Sequence, residues 1–79
     1  MKKKITMPEL KPNMEKGVLC EWKVKEGDTV KRGEPLFEVE TDKVVTSVEA
    51  SEDIKIISLL AEEGDEIPAG DAVCEAEVI

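Results

Sequence analysis

Between Phe37 and Glu49 the chain reads FEVETDKVVTSVE. Apolar and polar side chains alternate on both sides of Asp42-Lys43 with the period of two half-buried strands, and the charged dipeptide stands where a tight turn must be. The same period runs from Val18 to Val24 and predicts that Val18, Cys20, Trp22 and Val24 share one face while Leu19, Glu21 and Lys23 take the other. Ile54 to Leu60 is more evenly apolar and, read alone, suits a short helix as well as a strand; as a strand it sets Ile54, Ile56, Ser58 and Leu60 on one face.

A repeat decides between the two. EGDTVKRGEPLFE, beginning at Glu26, aligns without a gap on EGDEIPAGDAVCE, beginning at Glu63: Gly27 falls on Gly64, Asp28 on Asp65, Val30 on Ile67, Gly33 on Gly70 and Leu36 on Val73, always 37 residues apart. Each copy is preceded by a strand and ends in one, so Ile54 to Leu60 is the strand that corresponds to Val18 to Val24. Two copies are too few to stack as a solenoid, and the expected solution is two halves packed face to face about a pseudo-twofold axis. Strands are expected around Ile5 to Met7, Val18 to Val24, Thr29 to Val30, Leu36 to Glu40, Val44 to Ala50, Ile54 to Leu60, Glu66 to Ile67 and Ala72 to Val78. This is an all-β sandwich or flattened barrel filling one domain, 1–79. Gly27, Gly33, Gly64 and Gly70 mark turns that require positive φ. GDTVKRG lacks the GxGxxG spacing and a following helix, so it is not a phosphate cradle.

Composition narrows the function. Seventy-nine residues with a single Trp and a single Phe offer no aromatic platform for nucleic-acid bases, and a net charge of −8 repels phosphate backbones and anionic membranes. That charge also favours a monomer. The basic run Lys2-Lys3-Lys4 is short and leads into ITMPEL rather than a long apolar stretch, so no targeting or spanning segment is expected and a cytoplasmic location is. Cys20 and Cys74 lack CxxC spacing and are read as reduced, apolar residues; with no histidine, a metal site is not expected.

Lys43 then stands out. Carried forward from Lys43, the repeat offset runs past Ile79, so this turn has no duplicate; where one half has the turn, the other has the chain ends, and the tip is expected at the opposite end of the molecule from them. An amine on a stiff hairpin clear of the body can be enclosed by a modifying enzyme. A lysine amine is protonated at neutral pH, and no catalytic base accompanies it in this sequence, so acylation needs an external enzyme that also supplies an activated acyl group. The residues describe a carrier, not a catalyst.

The chain resembles the lipoyl domains of the dihydrolipoamide acyltransferase components of 2-oxo acid dehydrogenase complexes. The resemblance is carried by MPELKPNMEKG from Met7, EWKVKEGDTVKRGEPLFEVETDKV from Glu21 and AEEGDEIPAG from Ala61. It implies two four-stranded antiparallel sheets, covalent lipoic acid in amide linkage to Lys43, and lipoate ligase or octanoyltransferase as the modifying enzyme. It further implies that a thiamine-diphosphate decarboxylase loads the arm, the acyltransferase core unloads it to coenzyme A, and a dihydrolipoyl dehydrogenase reoxidises it. MPELKPNM and Trp22 lean toward a pyruvate or acetoin complex. Similar domains carry glycine where this chain has Ile54, the position equivalent to Gly17. Among Glu38, Glu40, Asp42 and Glu49, which make the turn's surroundings acidic, Glu40 and Asp42 are nearest the tip and are the expected recognition residues; Glu38 and Glu49 are read as a solvated face. The alternatives are a biotinyl carrier, in which the lysine normally lies between methionines rather than Asp42 and Val44, and an unmodified structural domain of the same fold.

Overall fold

The computed structural model describes residues 1–79 and consists of strands and turns. In chain order the strands are β1 (Lys2–Thr6), β2 (Lys16–Trp22), β3 (Thr29–Val30), β4 (Pro35–Thr41), β5 (Val44–Glu49), β6 (Ile54–Leu59), β7 (Glu66–Pro68) and β8 (Ala72–Val78). They form two four-stranded sheets, β1-β8-β6-β3 and β5-β4-β2-β7, in which every pairing is antiparallel. In each sheet the two central strands come from one half of the chain and the two edge strands from the other. The halves are β1 to β4 and β5 to β8.

The pseudo-twofold is written in hydrogen bonds. Trp22 N–H donates to Glu63 Oε2 at 2.9 Å, and its repeat mate Leu59 N–H donates to Glu26 Oε2 at 3.0 Å. Gly27 N–H donates to Ile56 C=O and Gly64 N–H to Leu19 C=O, both at 2.7 Å. The turn of each half is thus satisfied by a strand of the other. Gly27 and Gly64 sit at φ 91° and 94°, as the turn reading requires.

β2 and β6 depart from simple alternation at equivalent places. β2 pairs Leu19 with Val39 and then Glu21 with Glu38, so Cys20 is an extra residue; β6 pairs Ile56 with Ala76 and then Ser58 with Glu75, so Ile57 is extra. Each is a β-bulge, which shifts the side-chain phase beyond it. The expected faces are corrected accordingly. Leu19 is wholly buried, while Val18, Cys20 and Trp22 are half-buried, and Leu60 is 52% exposed while Leu59 packs on the core. β1 also lies earlier than expected. Its lysines alternate: Lys3 and Ile5 are half-buried while Lys2 and Lys4 point to solvent, and the Lys3 amine reaches Glu52 at 2.6 Å.

Leu19, Leu36, Phe37, Val39, Ile54, Ile56 and Val73 fill the space between the sheets. Trp22 caps one side, its ring 5.2 Å from Phe37 edge-to-face and its indole N–H donating to Ala61 C=O at 2.9 Å. The halves differ most where Gly17 answers to Ile54. The connection after β1, residues 7–15, sends the buried Met7 and Met14 over Gly17; the shorter connection 50–53 sends nothing comparable, and the Ile54 side chain is itself buried. The departure at Ile54 is therefore compensated packing. At the far end, Val78 N–H donates to Met1 C=O at 2.8 Å and Ile79 N–H to Asp53 C=O at 3.1 Å, which holds the termini beside the base of the β4–β5 hairpin.

Candidate functional site: the lysine hairpin

The register of β4 and β5 runs Val39 to Thr46, Glu40 to Val45 and Thr41 to Val44, leaving Asp42 and Lys43 as a two-residue loop. Both have positive φ, 49° and 66°. Positive φ at both central residues is the type I′ signature, whose twist matches that of the flanking strands. Glycine or asparagine suits such a turn; aspartate tolerates it, and a long side chain like lysine is held there at a cost of roughly 1 kcal/mol or more. The strands over-determine the turn, because Val39 and Phe37 are fully buried and fix the register of the whole hairpin. The apex of the hairpin thus holds a side chain poorly suited to its backbone conformation.

Lys43 is exposed and takes part in no ion pair. The tip stands at the end of the hairpin away from its base at Pro35 and Glu49, with about 20 Å of strand between the two. The amine therefore stands clear of the body of the domain.

Asp42 is not a bare carboxylate. Its Oδ2 forms an ion pair with the Lys11 amine. Lys11 lies in the connection 7–15, which is anchored by the buried Met7 and Met14; Leu10 N–H also lies 3.2 Å from Met14 Sδ. The hairpin tip is thereby tied to a second loop, a contact that alternation and repeat do not reveal because it depends on how this connection folds back. Glu38 is half-buried beside Lys23, whose Nζ is 4.0 Å from Glu38 and 3.2 Å from Glu21. The Lys23 amine is pushed above its ordinary range, first by the hydrogen bond to Glu21 and its charge, then by Glu38. Glu49 sits at the hairpin base, opposite Pro35. Of the four acidic residues, Glu40 is the one near the tip with no cationic partner; it is exposed and faces Val45 and Val18 across the sheet. The structure thus groups Lys43, Asp42 and Glu40, adds Lys11, and leaves Glu49 apart. It also shows Val44 and Val45, 60% and 54% exposed, immediately beyond the lysine.

The two cysteines are free, Cys20 half-buried at the β2 bulge and Cys74 in the core. Burial pushes the Cys74 thiol up to about 11. Neither lies at the tip.

A duplicated sandwich that holds one lysine out on a two-residue turn has the architecture of a swinging-arm carrier domain. The chain belongs to the family of biotin- and lipoyl-attachment domains, whose profile, described as "Biotin-requiring enzyme", matches residues 3–76. The dihydrolipoyllysine-residue acetyltransferase component of the pyruvate dehydrogenase complex of Rhizobium meliloti is 47% identical over 76 residues, covering 92% of this chain and 17% of that protein. The corresponding component of the acetoin cleaving system of Bacillus subtilis is 35% identical over 71 residues, covering 90% of this chain and 18% of that protein. The chain thus spans under a fifth of the length of these relatives. Among solved structures, the lipoyl domain of the 2-oxoglutarate dehydrogenase complex of Azotobacter vinelandii superimposes with a TM-score of 0.77 at 32% identity, covering 94% of each chain. A single-chain long-chain acyl-CoA carboxylase gives a TM-score of 0.83 at 17% identity over 99% of this chain and 7% of its own, a likeness of fold. Membership in this family makes the chain a lipoyl-type carrier domain rather than a catalytic one.

Proposed function

We propose that Lys43 carries lipoic acid in amide linkage and that the domain moves acyl groups and reducing equivalents among the active sites of a 2-oxo acid or acetoin dehydrogenase complex. The observation that carries this reading is the positive-φ lysine, exposed and unpaired, at the apex of the hairpin with the termini at the opposite end. The residues present suit the group: a free amine for the amide bond, and around it a rigid turn that does not bury it. When bound, lipoic acid supplies a reversible dithiol–disulfide couple able to hold an acyl group as a thioester. The chain's own residues supply placement. β4 and β5 fix the direction in which Lys43 leaves the surface, the Lys11–Asp42 pair ties the tip to the connection 7–15, and Glu40 offers a carboxylate to a basic partner surface. Tethering raises the local concentration of the carried group at each enzyme.

The partners of this reading are lipoate ligase or octanoyltransferase, a thiamine-diphosphate decarboxylase, the acyltransferase core and a dihydrolipoyl dehydrogenase, acting in the cytoplasm. The 47% identity to the R. meliloti pyruvate dehydrogenase component supports a pyruvate substrate, and the likeness to the B. subtilis component keeps acetoin beside it. Asp42 and Val44, rather than methionines, flank the lysine and support lipoyl over biotinyl attachment.

Intact-mass spectrometry of the chain expressed with lipoate ligase and lipoate is the test. One lipoyl increment is expected on the wild type and none on Lys43→Arg. Exchanging the two turn residues, Asp42→Lys with Lys43→Asp, redirects the amine and should slow modification by roughly 100-fold with the fold intact. A biotin increment, no increment, or equal modification of the exchanged variant would overturn the reading.

A further inference from the structure

β1 and β5 are related by the pseudo-twofold, and each is the edge of its sheet. Their alignment follows from matched hydrogen bonds: Met7 N–H donates to Asp71 C=O as Ala50 N–H donates to Glu34 C=O, and Gly70 N–H donates to Met7 C=O as Gly33 N–H donates to Ala50 C=O. Met7 therefore answers to Ala50, and Lys2 and Lys4 answer to Val45 and Ser47. In a two-residue hairpin the pair flanking the loop, here Thr41 and Val44, is hydrogen-bonded. Val45 and Ser47 then turn their N–H and C=O groups away from β4, into solvent, and both residues are exposed.

Exposed edge strands are templates for pairing with another chain, and lysines on an edge are a common way of blunting them. β1 carries that protection, with Lys2 and Lys4 exposed at the positions that answer to Val45 and Ser47. β5 carries none. From Val44 to Val48 it reads VVTSV, without a charge. One edge of a duplicated fold has been blocked and its mate left open, and the open one begins at the residue after Lys43.

We propose that the outer edge of β5 is a strand-addition surface, on which the enzyme that acylates Lys43 lays an extended segment of its own backbone, pairing with Val45 and Ser47. This rests on the lipoylation reading above and adds to it how the amine is brought to the active site. The charge around the edge selects the occupant. Glu40 and Glu49 are exposed near its two ends, and the domain carries a net charge of −8, so a second copy of this chain is repelled and a segment bearing Lys or Arg is attracted. Val44 and Val45 supply the apolar contact beside it.

Ser47→Pro tests the pairing, because proline removes the outward N–H without touching the ladder to β4. Ser47→Thr keeps that N–H and serves as the conservative control. With purified lipoate ligase, ATP and lipoate, kcat/KM for modification of Lys43 should fall at least about tenfold in Ser47→Pro, while Ser47→Thr behaves as wild type and both retain wild-type NMR dispersion. Independently, hydrogen exchange on wild-type domain mixed with the ligase should show the Val45 and Ser47 amides, fast in the free domain, slowed in the complex. Equal rates for all three proteins, with those amides still fast in the complex, would overturn the edge assignment while leaving lipoylation intact. Protection of the same amides in concentrated free domain, with a concentration-dependent mass, would overturn it in favour of self-pairing. Failure of the wild type to gain a lipoyl group would instead refute the lipoylation reading itself.

Discussion

A methyl group added at Gly17 is the most direct test of how the two halves of the core differ. A Cβ built there lies 2.6 Å from Val39 Cγ1, 3.0 Å from Met14 Cε and 3.5 Å from Met7 Sδ. Ordinary carbon contacts are about 3.5–4.0 Å, so the first two must yield. Met14 ends in a flexible thioether and can swing. Val39 cannot do so cheaply: it is wholly buried, branched at Cβ, and sits on β4 between its partners Leu19 and Thr46. Overpacking of this kind costs about 1–3 kcal/mol, which for a domain of this size lowers Tm by roughly 5–20 °C. Thermal denaturation followed by circular dichroism would measure it. Adding Val39→Ala should recover part of the loss, giving a favourable coupling of about 1 kcal/mol in a double-mutant cycle. At the equivalent position the sign of the volume argument reverses: Ile54→Ala leaves a void and should cost about 2–4 kcal/mol. A Gly17→Ala protein as stable as wild type, or additive double mutants, would show that Val39 does not crowd this site.

Gly27→Val and Gly64→Val place a branched residue at φ near 90° and should each lower stability by about 1–3 kcal/mol in urea titrations; unchanged midpoints would refute the turn geometry. Glu40→Gln with Asp42→Asn should reduce the second-order rate of reductive acylation of fully lipoylated domain about 3- to 10-fold at low ionic strength, with the difference shrinking at high salt. Because Asp42 is partnered by Lys11, most of the change should appear in Glu40→Gln alone, and equal rates at low salt would leave these carboxylates as a solvated face. The Cys74 thiol, pushed up to about 11 by burial, stays protonated in the folded chain while the unfolded chain releases its proton above about 8.5. Its contribution to stability is complete below that pH and is lost as pH rises toward 11, at up to about 1.4 kcal/mol per pH unit. Comparison of the wild-type and Cys74→Ala stability slopes between pH 9 and 11 checks the sign.

What the sequence makes legible is whatever has a period. The strand alternation, the duplication and the hairpin apex all follow from spacing, and the Glu-Gly-Asp turns from residues that few other conformations explain. The phase within β2 and β6 is not legible, because a bulge at Cys20 or Ile57 is a backbone event with no compositional mark; Val18 and Cys20 outnumber Leu19 and pull the reading to the wrong face. β1 is obscured for a related reason, since Lys3 and Lys4 hide the alternation that continues into Ile5. The partner of Asp42 is invisible in the pattern: Lys11 reaches the tip only after Met7 and Met14 have pinned the connection between β1 and β2. Likewise, the contrast between the two sheet edges appears only once the pseudo-twofold has matched Val45 and Ser47 to Lys2 and Lys4.

The division of each sheet between the halves has a consequence for how this molecule folds and how freely its tip can vary. Since the central strands of either sheet belong to one half and the edges to the other, a peptide ending at Thr41 would have two incomplete sheets and turns whose hydrogen-bonding partners are missing. Such a fragment could complete itself only by associating with its complement or with another copy, so the intact chain should fold in a single cooperative step limited by long-range closure. Asp42-Lys43 is the seam between the two repeats, the covalent link that turns a bimolecular assembly into a unimolecular one. The other turns recur in the second repeat with a matching role in the opposite sheet. The seam answers to no such twin, so its residues can be chosen for what they present to the outside while the symmetric framework is left undisturbed.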